Sequence, residues 1–342
     1  MKQNYRVVFP EKNKVELEAC ETPTLRDDEV LFATEISQIS TGTELTMLQA
    51  NVEQGSNWEN LLKFPNYPGY SNVGRVVDVG AKVSRELIGK RFATGANHVR
   101  YYKFSTEEIA TKNILPVPEG VASSDAVFST IARIALASIR ASKLQQGDAC
   151  AVFGAGLVGQ MVTRFARIGG STRVFVADLS DERLGKLPDD PCVYPVNSGR
   201  TSVPDFVKEH TVANEGAAVV FEVTGLPSLL PEELRCLYRG GRLMITSSPR
   251  GKSQVDLEFC SRKHLTIIGA HNVTTHTPVE TVRDRWTQRR DTAYFLELLE
   301  KKQIKVDGMH THRAGFRDAV KLYEMLAEDR TKALSVCMTW ED

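Results

Sequence analysis

The feature that most constrains the fold is a glycine-rich turn between an apolar strand pattern and a helical pattern. Gly154, Gly156 and Gly159 follow the strand pattern Ala149 to Phe153 and open the helical pattern Leu157 to Ile168. The first glycine suits a tight turn, the second leaves room for a pyrophosphate at the helix N-terminus, and the third allows close packing of helix on strand. A tight strand-to-helix turn without a ligand is the alternative interpretation.

An acidic residue follows at the position that a dinucleotide would need. Asp178 comes directly after the next strand pattern, Arg173 to Ala177. There a carboxylate can accept both adenosine ribose hydroxyls and repels a 2′-phosphate, so the spacing favours NAD over NADP. Arg183, one turn into the following helix, covers the adenosine side, and because an arginine can also meet a phosphate it leaves NADP open.

The chain divides into three segments, and the predicted fold class is α/β. Residues 1–122 carry short strand patterns with Pro and Gly turns, one of them over Ala110 to Leu115, and predict a β-rich domain. Residues 123–282 alternate helices with apolar strands and predict a doubly wound parallel sheet. Residues 283–342 return to patterns that we expect to rejoin the first domain.

Composition excludes several classes of function. Lys plus Arg and Asp plus Glu each number 43, so no net field draws the chain to nucleic acid or to an anionic membrane. No apolar run reaches the ~18 residues of a membrane span, and the six cysteines include no C-x-x-C pair. We expect a cytoplasmic protein with a small-molecule substrate and with no nucleic-acid or membrane partner.

The order of these parts resembles the medium-chain dehydrogenase/reductase superfamily, the zinc-type alcohol dehydrogenase-like proteins. The matching segments are Thr41-Gly42-Thr43-Glu44, Pro68-Gly69-Tyr70-Ser71, Gly74 to Gly80, the glycine-rich turn, Phe221 to Gly225 and Tyr238 to Arg242. Within it the chain is most similar to the branch of bacteriochlorophyllide a dehydrogenase-like and glycoside 3-dehydrogenase-like proteins. The resemblance implies a GroES-like catalytic domain, a Rossmann domain and an NAD(P)-dependent oxidoreductase acting on a CH–OH group.

The chain departs from this family at its metal sites. Zinc-dependent members bind catalytic zinc through Cys, His and a further Cys or Glu, and the matching positions here are Thr41, Tyr70 and Ala126. No cysteine occurs between Cys20 and Cys150, where members with structural zinc carry a cysteine-rich lobe. We therefore expect no zinc and no other metal site.

Without zinc, the hydroxyl proton of a substrate needs a side-chain acceptor. By resemblance, His98 occupies a substrate-facing position and is the predicted proton acceptor, although a strand histidine held by backbone hydrogen bonds is the alternative. Tyr70 is expected either to hydrogen-bond the reacting oxygen or to fill the space of the lost metal. His271 is expected to border both nicotinamide and substrate.

The resemblance also implies the remaining contacts. The expected cofactor contacts are Thr130 beside the nicotinamide, Thr224 near the ribose, Ser248 after a strand, and Lys332 toward the pyrophosphate. Thr41, Glu44 and Trp286 are the expected substrate-side residues. For Glu44, fixing its loop through backbone amides is the alternative role, and for Trp286 it is packing of a hinge.

These expectations describe a zinc-independent, NAD-linked dehydrogenase of a secondary alcohol, with a sugar, glycoside or cyclitol as the first substrate class. The enzyme alternative is an NADPH-dependent quinone or enoyl reductase. An alternative of another class is a nucleotide-binding sensor or structural protein without turnover. Because the apolar strand Leu265 to Gly269 would leave an open sheet edge in a monomer, we expect a homodimer or homotetramer.

Overall fold

The computed structural model describes residues 2–271 and 275–341 and divides the chain into two compact units. The first unit comprises Met1–Thr130 and Thr292–Asp342, and the second comprises Ile131–Asp291. The chain therefore returns to the first unit after the second. The divisions lie within the helices Ser129–Ser142 and Gln288–Glu300, whereas the sequence analysis placed them at residues 122 and 282.

The strands of both units are numbered in chain order. They are β1 (Asn4–Val8), β2 (Glu16–Cys20), β3 (Glu29–Ile39), β4 (Asn72–Val79), β5 (Arg91–Thr94), β6 (Tyr101–Ser105), β7 (Leu115–Pro116), β8 (Ala149–Phe153), β9 (Arg173–Asp178), β10 (Val193–Asn197), β11 (Ala217–Glu222), β12 (Leu237–Ile245), β13 (Thr266–Gly269), β14 (His310–Gly315) and β15 (Ser335–Thr339).

The α-helices are numbered in the same way. They are α1 (Thr43–Gln49), α2 (Asn57–Leu61), α3 (Thr106–Thr111), α4 (Ser123–Ala126), α5 (Ser129–Ser142), α6 (Leu157–Ile168), α7 (Asp181–Leu184), α8 (Val203–Glu209), α9 (Leu230–Arg235), α10 (Leu257–Lys263), α11 (Gln288–Glu300) and α12 (Ala319–Glu328). No helix among the described residues is long and apolar enough to cross a membrane.

One predicted strand is wrong. The segment Ala110 to Leu115 lies partly in helix α3, and only Leu115 and Pro116 pair as strand β7. The helix starts early because Ser105 and Glu108 form a reciprocal capping box, which satisfies two backbone N–H groups of its first turn. A serine followed three residues later by a glutamate is the sequence signal that indicates this helix start.

The first unit is built on a mostly antiparallel sheet with strand order β14-β15-β3-β4-β5-β7, and β6 also pairs with β3. The antiparallel pair of Ile39 with Val336 joins β3 to β15 near the end of the chain. One apolar core of this unit accordingly combines early residues such as Phe9 and Leu45 with late ones such as Tyr323. The C-terminal segment thus contributes directly to the environment of the residues that follow β3.

The second unit contains a parallel sheet with strand order β10-β9-β8-β11-β12-β13, which confirms the predicted doubly wound fold. Its three central strands, β9, β8 and β11, are nearly continuous runs of buried apolar side chains, as expected where a sheet is covered on both faces. The strand order reverses between β8 and β11, and ligands of such sheets bind at the carboxyl ends of the strands beside this point. The glycine-rich turn lies there, directly after β8.

Candidate functional site

The glycine-rich turn has the backbone geometry that its sequence predicts. Gly154 has a φ of +111°, in the region that favours glycine. A Cβ atom added at Gly159 would collide with the carbonyl oxygen of Gly154, so close packing of α6 on the turn requires glycine there. A Cβ atom added at Gly156 would meet no other atom within 4 Å. The turn therefore combines a tight bend with open space at the start of α6, which fits a pyrophosphate.

The carboxylate of Asp178, at the end of β9, is fixed beside this turn. Its Oδ2 atom accepts the backbone N–H of Ala155 at 2.7 Å, and its Oδ1 atom accepts the backbone N–H of Ser180 at 2.9 Å. Because an ionised carboxylate has about four acceptor positions, capacity remains for ribose hydroxyls. The geometry is thus compatible with the predicted role of Asp178.

Glu222 is the residue that sequence reasoning missed in this unit. Its Oε1 atom accepts the backbone N–H of Thr224 at 2.6 Å, the hydroxyl of Thr224 at 2.8 Å and the backbone N–H of Gly225 at 2.8 Å. Its other oxygen accepts the hydroxyl of Ser247. A carboxylate that ends an otherwise apolar strand signals such a bonded acid, because an unbonded one is costly to bury. Glu222 thereby fixes Thr224, the predicted ribose contact.

In the first unit, Glu44 is the centre of a buried polar network. Its Oε1 atom accepts the backbone N–H of Ser40 at 2.9 Å, and its Oε2 atom accepts the hydroxyl of Tyr323 and lies 3.1 Å from Nε2 of His98. Glu44 is 1% exposed and His98 is fully buried. Burial and the neighbouring carboxylate raise the pKa of Tyr323 well above its usual value. The contact with Ser40 agrees with the loop-fixing role of Glu44, whereas its burial argues against substrate contact.

His98, the predicted proton acceptor, has no exposed surface in the structure. Its Nδ1 atom lies 2.8 Å from Oγ of Ser37, which in turn accepts the indole N–H of Trp340 at 2.9 Å. Because the Ser37 oxygen already accepts from a group that can only donate, its own proton can go to Nδ1 of His98. When Nδ1 accepts this proton, the ring hydrogen lies on Nε2 and is donated to Glu44. Both ring nitrogens are therefore engaged inside the protein.

Tyr70 lies at the half-buried edge of the same unit. Its hydroxyl donates to Oγ of Ser40 and lies 3.3 Å from Oγ1 of Thr43. Its backbone carbonyl accepts the hydroxyl of Thr130 at 2.9 Å. The predicted residues Tyr70 and Thr130 are therefore adjacent. Thr41, another half-buried residue, lies between Ser40 and α1.

The residues at the family's metal positions do not suit zinc. Zinc sites use cysteine, histidine and carboxylate ligands, whereas Thr41 and Tyr70 offer hydroxyls and the Tyr70 hydroxyl is bonded to Ser40. Throughout residues 2–271 and 275–341, no group of three or more His, Cys, Asp or Glu side chains is arranged to hold a metal ion.

The other residues predicted to contact the cofactor lie in separate parts of the chain's structure. Ser248 is exposed after β12, and His271 is exposed after β13, next to residues 272–274, which lie outside the described part of the chain. The side chain of Lys332 is largely exposed and lies 3.8 Å from Asp329. Arg183 is half-buried on α7, where its backbone N–H is capped by Ser180 at 3.3 Å. None of these placements tests the predicted contacts with a cofactor.

Trp286 packs against arginines of the second unit. The guanidinium carbon of Arg140 lies 3.1 Å from the centroid of the indole ring, and that of Arg290 lies 5.3 Å from it. Arg140 also donates from Nε to Asp291 at 2.8 Å, and Asp291 contacts Nε2 of His276 at 2.9 Å. These contacts agree with the alternative role of Trp286 in packing the segment before α11.

Comparisons with known proteins agree with this fold. The model of the family described as zinc-binding dehydrogenase matches residues 158–287. Sorbitol dehydrogenase 2 of Saccharomyces cerevisiae is 23% identical, with 94% of each chain covered. D-xylulose reductase of the same yeast is 24% identical over 66% of this chain, a match that spans 59% of that protein.

Solved structures show the same architecture over almost the full length. The 2R,3R-butanediol dehydrogenase of Bacillus subtilis has a TM-score of 0.80 at 19% identity and covers 99% of this chain and 100% of its own. The alcohol dehydrogenase rspB of Escherichia coli CFT073, complexed with NADH, has a TM-score of 0.80 at 18% identity and covers 99% of each chain. The chain is therefore similar in sequence to named alcohol and polyol dehydrogenases and shares the fold of solved ones, and the family described as zinc-binding dehydrogenase matches part of its second unit.

Proposed function

We propose that this protein is a zinc-independent, NAD-linked oxidoreductase that interconverts a secondary alcohol and a ketone on a sugar, glycoside or cyclitol. The observation that carries the proposal is the glycine-rich turn of the second unit with the Asp178 carboxylate fixed beside it. The similar yeast proteins are named as a sorbitol dehydrogenase and a D-xylulose reductase, which supports the same class of reaction.

The residues of the second unit fit a nicotinamide dinucleotide. When bound, the nicotinamide accepts or donates the hydride. The space before Gly156 is open to its phosphates, and Asp178 is held so that it can accept ribose hydroxyls. A 2′-phosphate near this carboxylate would cost on the order of 1 to 3 kcal/mol through like-charge repulsion. This repulsion supports NAD over NADP.

The cofactor preference can be tested by titration calorimetry with NAD and NADP. We expect tighter binding of NAD, and we expect Asp178→Ala to narrow the difference. Asp181→Ala is the matched control, because that carboxylate contacts Asn197 and Arg200 rather than the glycine-rich turn. Equal affinities in the unmodified protein, or an equal effect of both substitutions, would contradict the proposed role of Asp178.

For the proton of the alcohol, burial and hydrogen bonding support Tyr70 over His98. His98 has no exposed surface, and its two ring nitrogens contact Ser37 and Glu44. Tyr70 is half-buried, and its hydroxyl donates to Ser40, which is also half-buried. In this proposal the Tyr70 oxygen takes the proton of the alcohol as its own proton passes to Ser40 and the Ser40 proton passes to water, while His98 and Glu44 position the Ser40 segment.

This assignment predicts a larger loss of kcat from substitution of Tyr70 than from substitution of His98. The sequence analysis, which assigns proton transfer to His98, predicts the reverse. Tyr70→Phe should lower kcat by about 10-fold to 100-fold with little change in NAD affinity. His98→Gln keeps a polar side chain and should act mainly on stability, with a smaller loss of kcat measured on the folded protein. If His98→Gln loses kcat while Tyr70→Phe retains it, the proton acceptor is His98.

Zinc independence rests on the ligand types at Thr41, Tyr70 and Ala126. Elemental analysis after treatment with a chelator should find no stoichiometric zinc, and turnover should persist. One zinc per chain, or loss of activity that added zinc restores, would overturn this part of the proposal.

The substrate class can be tested by screening polyols, sugars and glycosides with NAD and recording the absorbance of reduced nicotinamide. Oxidation of a secondary hydroxyl in this panel is the expected result. Turnover confined to quinones or enones with NADPH would favour the reductase alternative. Nucleotide binding without turnover of any compound would favour a sensor or structural protein.

We also propose a homo-oligomer formed through the edge of the second unit's sheet. Strand β13 is the edge strand next to β12, and Ile267 on it and Leu257 on the preceding helix α10 are exposed. An open edge with apolar side chains is a surface that a second copy can cover. Light scattering should give at least twice the 38.0 kDa of one chain, and a monomer at micromolar concentration would overturn this proposal.

A further inference from the structure

Gln160 is a fully buried amide on α6, one residue after the last glycine of the glycine-rich turn. Its Nε2 atom donates to the carbonyl oxygen of Ala155 at 3.3 Å and to that of Arg183 at 3.0 Å. Its Oε1 atom accepts from the guanidinium of Arg164 at 2.9 Å. Both donor positions and the acceptor of this side chain are therefore used, although nothing in the motif requires a polar residue there.

The two carbonyl groups that Gln160 holds belong to different parts of the dinucleotide site. Ala155 lies within the glycine-rich turn, and its N–H is the donor to the Asp178 carboxylate. Ala155 is thus held at both ends, by Asp178 through its N–H and by Gln160 through its carbonyl. Arg183 lies on the helix that follows Asp178. The side chain of Gln160 therefore ties the phosphate side of the site to its adenosine side.

We propose that Gln160 is a positioning residue of the dinucleotide site and that, through Ala155 and Arg183, it sets how strongly the protein discriminates against the 2′-phosphate of NADP. This inference rests on the proposed function. Repulsion of a 2′-phosphate depends on a carboxylate that cannot move away from it. The tie through Ala155 keeps Asp178 in place relative to the turn, and the tie to the Arg183 carbonyl keeps the backbone of the helix that follows Asp178 in place.

The test compares dissociation constants for NAD and NADP in Gln160→Met, which keeps length and volume but has no donor. Loss of these hydrogen bonds should weaken NAD binding by roughly 5-fold to 10-fold. NADP binding should weaken less, because freer movement of Asp178 and Arg183 relieves repulsion. The ratio of the NADP to the NAD dissociation constant should therefore fall. A merely structural role would weaken both nucleotides equally and leave the ratio unchanged.

Gln160→Glu is the second variant, because it keeps an acceptor for Arg164 while removing both donors, and it provides the test if Gln160→Met does not fold. It should lower the same ratio. Ser171→Ala is the matched control, since it removes a fully buried hydroxyl whose partner is Cys150 in the same unit but outside the site, and it should leave the ratio unchanged. An unchanged ratio in the folded Gln160 variants would overturn the inference alone. A parent protein that binds neither nucleotide would overturn the proposed function as well.

Discussion

The most deeply buried glutamates of the two units, Glu44 and Glu233, have opposite surroundings. Glu44 of the first unit receives the Ser40 N–H and the Tyr323 hydroxyl and faces the Nε2 atom of His98. Glu233 of the second unit, on α9, is also fully buried, yet neither of its carboxylate oxygens has a hydrogen-bond partner among the described residues. Equal burial therefore does not mean equal electrostatic cost.

Because Glu233 is buried without hydrogen-bond partners in the described part of the chain, the pKa of its carboxyl group is strongly shifted. Burial, followed by the nearby carboxylates of Glu222 and Glu232, raises its pKa from 4.5 to about 9. The group is therefore protonated in the folded protein at neutral pH, and it is ionised in the unfolded chain. The comparison teaches that a carboxyl group buried without hydrogen-bond donors strongly favours its neutral form.

The largest change in the free energy of unfolding is expected from Glu44→Ala. Removing the carboxylate leaves the Ser40 N–H, the Tyr323 hydroxyl and the His98 Nε2–H without their acceptor, each at a cost of about 1 to 3 kcal/mol. Since water can enter part of the space, we expect the free energy of unfolding to fall by roughly 3 to 5 kcal/mol. Urea denaturation measures this change, and a loss no greater than that of an ordinary surface substitution would contradict the central role of Glu44.

Glu233→Gln is expected to raise the free energy of unfolding, whereas Glu44→Ala lowers it. Because the folded pKa is raised, the contribution of Glu233 to stability is fully present below pH 4.5 and is lost as the pH rises toward about 9. The substitution removes this loss, so at pH 8 the free energy of unfolding should rise by roughly 2 to 4 kcal/mol. Denaturation between pH 5 and pH 8 at about unit intervals tests it.

Glu232→Gln is the matched control for that measurement, because Glu232 precedes Glu233 on the same helix and is only half-buried. It should change the pH dependence of stability much less. If Glu233→Gln instead destabilises the protein throughout this pH range, the inferred lack of hydrogen-bond partners at Glu233 is wrong.

A smaller effect is expected for Tyr323→Phe, which removes one donor from Glu44 and leaves the ring packed against Phe9. The free energy of unfolding should fall by about 1 kcal/mol, the usual contribution of one buried hydrogen bond. The variant should also remove a tyrosine that resists ionisation in alkaline titration, because the pKa of Tyr323 is raised. An unchanged count of late-titrating tyrosines would contradict the buried contact.

The smallest effect is expected for Glu258→Gln on α10. This carboxylate forms an exposed pair with Arg262 at 2.8 Å, and both side chains are largely in water. Exposed pairs contribute little because solvent and salt screen them. Thermal denaturation should show no measurable change in stability. This result gives the reference against which the effects of substituting Glu44 and Glu233 are compared.

The cofactor half of the site was largely accessible from the sequence. The glycine-rich turn, its flanking strand and helix, and Asp178 at the end of the next strand all depend on short-range signals, namely backbone freedom at glycine and the alternation of apolar segments. The predicted helix Leu157 to Ile168 has the observed bounds. Glu222 and Gln160 were missed because their partners are set by neighbouring turns rather than by a motif.

By itself, the sequence determined the order of the elements, the parallel sheet, the return of the C-terminal segment and the turn that fits a dinucleotide, since these follow from local patterns repeated along the chain. Only the tertiary structure decided the surroundings of His98. Its partner Glu44 lies 54 residues before it in the sequence. Tyr323, which also donates to that carboxylate, lies 279 residues after Glu44. The protonation and exposure of a side chain depend on every group packed around it, and strand pairing in the first unit brings those groups together from distant positions.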